Sequence, residues 1–228
     1  MKCSGSHGHR PSGRGTRAAT RTALARRRLA ENGAVIDDRG VHRILGERDV
    51  TIMTSATVIL ETPRLVLRRL VPEDLDALFA LYRDPEVRQF FPDGTRTLEE
   101  TRQELDWFLH GHPKHPELGL WATIERSSGD FLGRCGLLPW EIEGKREVEL
   151  AFLIDKSRWR EGFASEAAAA IVGYAGEVLR LERLICLILP GNMASMGVAR
   201  KVGMSFEREL TDDFGLCHIY ARALPSRT

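Results

Sequence analysis

Seven residues, Trp159-Arg160-Glu161-Gly162-Phe163-Ala164-Ser165, lie between an apolar run, Val148 to Ile154, and an Ala-rich stretch, Glu166 to Leu179. The run reads as a buried strand and the stretch as a helix. A turn between such elements aims several backbone N–H groups at one point, at the positive end of the helix dipole. It therefore predicts a site for a phosphate or pyrophosphate. Gly162 lets the backbone approach an anion and takes dihedrals that other residues resist. The small Ala164 keeps that approach open. A second element follows at a suitable distance: Asn192-Met193-Ala194-Ser195, then Lys201-Val202-Gly203-Met204-Ser205-Phe206.

Together these elements resemble the GNAT superfamily of acetyl-CoA-dependent N-acetyltransferases, and most closely its Rim-type branch, the ribosomal-protein N-terminal acetyltransferases. The family's phosphate turn reads Gln/Arg-x-x-Gly-x-Gly/Ala, with an aromatic residue common at the first position in this branch. Trp159, Gly162 and Ala164 fit that form, and Ser165-Glu166-Ala167 continues it. The branch often has Gly directly after the aromatic, where this chain has Arg160, a cation beside the expected phosphates. Asn192-x-x-Ser195 and Lys201-x-Gly203-x-x-Phe206 match the branch's late helix and the strand after it. The resemblance runs from Thr62-Pro63-Arg64-Leu65-Val66-Leu67-Arg68 to about Arg222.

The first fifty-odd residues lie outside it and differ in charge. Residues 1–52 hold 11 of the 33 Lys and Arg but 5 of the 32 Asp and Glu, leaving 22 against 27 in residues 53–228. The near-neutral total is a sum of two unlike parts. We read residues 1–52 as a basic, disordered extension or an upstream mis-start before Met53, and residues 53–228 as the acetyltransferase domain. A nucleic-acid-binding tail or a transit peptide is the competing reading of that segment. No apolar run approaches the roughly 18 residues of a membrane span, so no membrane partner is expected. Cys3, Cys135, Cys186 and Cys217 form no C-x-x-C pair, which suits a reducing cytoplasm better than a zinc ribbon or disulfide framework. Cys186, within Leu184 to Ile188, reads as a small buried residue rather than a nucleophile.

Along the domain, Leu65, Leu67 and Leu70 predict an opening strand, and Val71-Pro72-Glu73-Asp74 the start of a helix ending at Asp84-Pro85. Thr97-Leu98-Glu99-Glu100 is a capping-box start for a second helix through about Leu109. Strands are predicted over Leu118 to Glu125, Phe131 to Leu138, Glu147 to Ile154 and Arg183 to Leu189. A short helix, Ala194 to Val202, and a hairpin of Phe206 to Leu210 with Leu216 to Arg222 complete the chain. This order gives a mixed α/β class, neither doubly wound nor a barrel. The resemblance implies the GNAT acyl-CoA N-acyltransferase fold. Its central sheet is mixed and mostly antiparallel, with helices on its flanks and a splayed gap for the cofactor.

The resemblance further implies that acetyl-CoA is the co-substrate and that no metal is needed. Backbone groups near Phe152, Leu153 and Ile154 would hold pantetheine as though adding a strand. The turn Trp159, Arg160, Glu161, Gly162, Phe163, Ala164, Ser165 would hold the pyrophosphate. The acceptor amine is largely protonated at neutral pH and must lose a proton. Glu149 is the candidate base; strand alternation puts Glu147 on the same face, as a rival. Ser195 is the candidate acid for the departing thiolate, or a hydrogen-bonding partner of the cofactor along with Asn192. Either residue would also serve as a helix cap. The Tyr that many family members carry in the late helix is replaced by Ala199.

His110, His112 and His115 match no metal spacing and read as a loop beside the acceptor pocket, with Phe90, Phe91, Trp107 and Trp140 as further lining. Trp107, beside Phe108 and Leu109 on a helix, reads as core ahead of lining. Arg88, Arg96 and Arg134 read as surface arginines, or as partners of an acidic acceptor. The acidic balance of residues 53–228 favours instead a basic acceptor, such as a protein N-terminus or a polyamine. The function implied is transfer of acetyl from acetyl-CoA to a primary amine, by direct attack in a ternary complex. The alternative is a non-catalytic acyl-CoA sensor of the same fold. Homodimerisation is compatible with either.

Overall fold

The structure is a computed structural model, and it describes residues 57–112, 114–212 and 215–225. The extension read over residues 1–52 lies outside the described residues.

Eight strands form one sheet: β1 (Val58–Glu61), β2 (Leu65–Arg69), β3 (Gly119–Glu125), β4 (Phe131–Ile142), β5 (Lys145–Ile154), β6 (Arg183–Ile188), β7 (Ser205–Asp212) and β8 (Gly215–Ala223). Their spatial order is β1-β2-β3-β4-β5-β6-β8-β7. Helices α1 (Leu75–Tyr82), α2 (Leu98–Phe108), α3 (Phe163–Glu177) and α4 (Met193–Lys201) connect them. Every strand pair is antiparallel except β5 with β6, which α3 joins as a crossover. This is the mixed, mostly antiparallel sheet with flanking helices that the sequence implied.

Strand alternation sorts the apolar residues into two layers. Leu65, Leu67, Leu132, Cys135, Leu137, Leu150 and Ile154 pack against α3 through Phe163, Ala167, Ala168 and Ile171. Ala151 and Leu153 point the other way and pack with Leu78, Tyr82, Leu105 and Phe108 of α1 and α2. The residues of β5 therefore divide between the two faces, and Glu149 shares the α1/α2 face with Ala151 and Leu153.

Three local differences from the sequence reading have physical causes. β1 is an additional strand: it is four residues long, pairs on one side only, and carries no clean alternation. The first helix is preceded by a 3₁₀ turn, Pro72–Asp74, because Asp74 is drawn back to accept from Val71 N–H at 2.9 Å and from both terminal nitrogens of Arg68. The Ala-rich helix begins at Phe163, three residues early, since Gly162 itself takes the N-cap position. The capping box at Thr97 and Glu100 forms as read, with reciprocal bonds of 3.2 and 2.9 Å.

Candidate active site

The ladder between β5 and β6 is held at one registered pair, Glu149 opposite Ile185. Beyond it the strands diverge, while β5 remains paired with β4 out to Ile154 opposite Gly133. Where the ladder stops, the Cys186 thiol donates to the Leu150 carbonyl at 3.2 Å. Burial and the nearby Glu149 carboxylate push the Cys186 thiol well up, so it stays protonated and is a poor nucleophile. The gap opens into a cavity of about 820 Å³.

One end of this cavity is the turn before α3. Arg160 and Gly162 both take left-handed backbone, at φ +68° and +87°. Gly162 has no side chain to cap the helix, so the first N–H groups of α3 keep their donors for another partner. The Trp159 indole N–H donates to the Ile154 carbonyl at 2.8 Å and ties the turn to the end of β5. A brace supports the turn from outside. Arg64 donates to the Glu161 carbonyl at 3.1 Å, bonds Glu166 at 2.6 Å, and lies 4.4 Å from the Phe163 ring centre. Arg158 forms a two-pronged pair with Glu125 at 2.8 and 2.9 Å.

The residues expected to hold a cofactor fall together. Phe152, Leu153, Ile154, Trp159, Arg160, Gly162, Phe163, Ala164, Ser165, Asn192 and Ser195 all line the cavity. Glu161 is not in that lining; its carboxylate pairs with Arg158 and its carbonyl with Arg64. Asn192 caps α4, its side chain accepting from Ser195 N–H at 3.1 Å. Ser195 is thus the third residue of the helix rather than its cap, and its half-buried hydroxyl belongs to the cavity wall. Ala199 is fully buried in the α3 layer.

Glu149 and Glu147 part company. Glu149 lines the cavity and accepts from Trp140 Nε1 at 2.6 Å. Glu147 is bonded by Arg183 at 3.0 Å and is not in the lining. Phe90, Phe91, Trp107 and Trp140 also line the cavity, as does His112, which is buried and stacked on His115 with ring centres 5.6 Å apart. Among the described residues, no group of three or more His, Cys, Asp and Glu could hold a metal ion.

The surface reading of Arg88, Arg96 and Arg134 fails. Arg88 and Arg134 are 2% and 5% exposed, and the Arg96 side chain 17%. They gather around Tyr82, Asp93 and Glu104 on the α1/α2 side of the cavity. The Tyr82 hydroxyl donates to Glu104 and accepts from Arg134 Nε at 2.8 Å. Burial raises the Tyr82 pKa to about 12, so the phenol is neutral. Burial also disfavours the Glu104 carboxylate, but Arg96 and Arg134 outweigh this and hold its pKa below the usual value. A signal for this cluster exists in the sequence: Glu104 falls between Thr101, Leu105 and Phe108 on the buried face of α2.

The family model described as the acetyltransferase (GNAT) domain matches residues 64–205. The chain belongs to the GNAT acetyltransferase family. Among relatives of this GNAT chain, the uncharacterised protein YkkB of Bacillus subtilis (strain 168) is 32% identical over 157 residues, 68% of this chain and 90% of that one. Two solved GNAT structures share the fold at lower identity. RimL, the ribosomal L7/L12 alpha-N-protein acetyltransferase, was solved with coenzyme A. It superposes with a TM-score of 0.61 at 18% identity, covering 73% of this chain and 98% of that one. The spermidine N-acetyltransferase of Vibrio cholerae was solved with CoA and spermine. It gives 0.57 at 14% identity, covering 71% and 96%. These two enzymes are named for quite different acceptors, so the shared fold does not identify the acceptor of this GNAT protein. Among the described residues, no helix is long and apolar enough to cross a membrane.

Proposed function

We propose that this chain transfers the acetyl group of acetyl-CoA to a primary amine, by direct attack in a ternary complex. One observation carries the reading: a single cavity joins the uncapped, left-handed turn before α3 to the carboxylate of Glu149. The turn suits the pyrophosphate, because its N–H groups converge and Gly162 adds no Cβ to the approach. The open side of β5 from Phe152 to Ile154 suits pantetheine, whose amides would take the backbone groups that β6 leaves free. Acetyl-CoA supplies an activated thioester.

In this reading Glu149 accepts the proton of the ammonium, directly or through a water. The amine nitrogen then attacks the acetyl carbon and the C–S bond breaks. The nitrogen sheds its second proton as the amide forms and the thiolate gains one, a transfer that the Ser195 hydroxyl on the cavity wall would relay without net change, and the products are the N-acetyl amine and CoA. A protonated Cys186 supports direct attack over an acetyl-enzyme intermediate. The Rim-type resemblance supports a protein N-terminus as acceptor, with a small amine as the other form of the same chemistry. A cytoplasmic location is part of this reading, supported by the buried thiols of Cys135 and Cys186.

The test is calorimetric titration of the full chain with acetyl-CoA, followed by thiol release with a panel of amines and N-terminal peptides. Binding with acceptor-dependent release is the expected result. Binding without release for any acceptor would favour the sensor alternative, and no binding would remove the cofactor site.

A further inference from the structure

Three guanidinium groups, Arg88, Arg96 and Arg134, share two carboxylates on the cavity wall. Asp93 takes Arg88 at 2.6 Å and Arg96 at 3.0 Å. Glu104 takes Arg96 at 2.7 Å and the hydroxyl of Tyr82. Arg88 spends its Nε on the Gly94 carbonyl at 2.7 Å. Arg134 makes a single bond, from Nε to the neutral Tyr82 oxygen at 2.8 Å. Among the described residues, its two terminal nitrogens have no hydrogen-bonding partner. Among the described residues the cluster is therefore one negative charge short, and the guanidinium with donors to spare is Arg134, on which Glu104 acts without a hydrogen bond. A net unbalanced charge is costlier in a low-dielectric wall than at the surface.

Among the described residues, no neighbouring acid supplies the missing charge. Glu86, on the same wall, is exposed and held by Lys156 at 3.0 Å. Glu149 lies on the same face of the sheet, but Arg134 is registered opposite Leu153. Four residues of strand, roughly 13 Å, separate that level from Glu149. Such an arrangement suits a molecule with an ammonium at one end and an anion at the other. Phe91 and Trp107 are apolar parts of the same cavity wall, and the Phe91 ring centre lies 5.7 Å from the Arg134 guanidinium.

We propose that the acceptor is an amine that also carries a carboxylate, and that Arg134 binds that carboxylate. This rests on the acetyl-transfer reading above and names its substrate class. It reverses the preference for a basic acceptor drawn from the acidic balance of the domain. Distant surface charges are screened within about 10 Å of salt solution, whereas the cluster acts at contact. The carboxylate comes from a small amino acid whose amine and acid are several bonds apart, or from an acidic side chain near a peptide N-terminus, and the recognition is the same.

The experiment compares matched acceptors with the full chain at saturating acetyl-CoA, by thiol release. 6-Aminohexanoate, whose amine and carboxylate lie roughly 7 Å apart when extended, is set against 6-aminohexanamide, and a tripeptide amide with Asp in second place against its Asn counterpart. The amide's amine is less basic and more of it is neutral, so the comparison is biased against the proposal. The acid of at least one pair is expected to exceed its partner at least tenfold in kcat/KM, and Arg134→Gln to bring that ratio near one. Which pair responds identifies the source of the carboxylate. Ratios near one in the wild-type protein for both pairs would overturn the proposal without any variant, leaving acetyl transfer intact. A fall in acetyl-CoA affinity in Arg134→Gln, with the ratio kept, would overturn it in favour of a cofactor role. Should no amine release thiol, calorimetry of 6-acetamidohexanoate and its amide on the CoA-saturated protein decides separately. Preference for the acid would sustain the anion site while the acetyl-transfer reading falls, and equal affinity would overturn the anion site too.

Discussion

The indole nitrogen of Trp140 donates to a carboxylate oxygen of Glu149 at 2.6 Å, reaching along the β4–β5 ladder from the position registered opposite Glu147. The bond is charge-assisted and fixes how the carboxylate faces the cavity. Glu149→Gln is expected to lower kcat/KM by about 10²- to 10⁴-fold, the usual worth of a general base. The loss is largest at low pH, where the amine is most protonated. Trp140→Phe keeps the base and removes its orientation, for a loss of about tenfold. A pH–rate profile of thiol release reads both; a wild-type profile in Glu149→Gln would remove it as the base.

Gly162→Val places a branched side chain at φ +87°. Its Cβ would meet only Arg64 Nη2, at 3.5 Å, an ordinary contact, so the cost is backbone strain of about 1–2 kcal/mol. The fold should persist with a modest fall in Tm, while acetyl-CoA affinity by calorimetry drops at least tenfold. Unchanged affinity would refute the phosphate turn.

Arg160 also sits in left-handed backbone, at φ +68°, the conformation that a glycine takes without strain. The left-handed backbone gives a physical reason for the Gly that the resemblance led one to expect at this position. Arg160→Gly is expected to raise stability by about 0.5–1 kcal/mol, strain relief less the added chain entropy. Urea unfolding checks this. A lower stability would mean that the Arg160 side chain holds the turn together.

Tyr82 gives a signature at high pH. Its pKa is raised from 10.0 in the unfolded reference to about 12 in the fold, by burial first. Between those values the unfolded chain has lost a proton that the folded chain keeps. The contribution is fully present below pH 10 and is lost as pH rises toward 12. Tyr82→Phe should therefore show a shallower fall in stability across pH 10–12 than wild type. Parallel curves from urea titrations would show that the phenol is not so shifted.

Much of this arrangement was legible beforehand, for local reasons. The turn from Trp159 to Ser165, the capping box at Thr97 and the alternation along β5 are written in neighbouring residues. What escaped depends on distant ones. Val58–Glu61 becomes a strand only because β2 presents an edge to it. Arg88, Arg96 and Arg134 come from two loop positions and one strand, and hydropathy counts a buried, paired guanidinium as a surface residue. What separates Glu147 from Glu149 in the proposed mechanism is Arg183, which pairs with the first from another strand. Alternation puts both on one face and is silent about who else reaches it.

The single registered pair between β5 and β6 gives this sheet an edge in its middle. Edges ordinarily lie at the rim, where any passing extended chain can add itself and where proteins blunt them with charge or brevity. Here the pairing-competent stretch, Leu150 to Ile154, is walled by α3 on one face and by α1 and α2 on the other. A chain that paired there would have to enter between those layers rather than lie along a rim. The unfinished β-edge is thus kept inside the molecule, where helices on both faces shield it in place of charge or brevity.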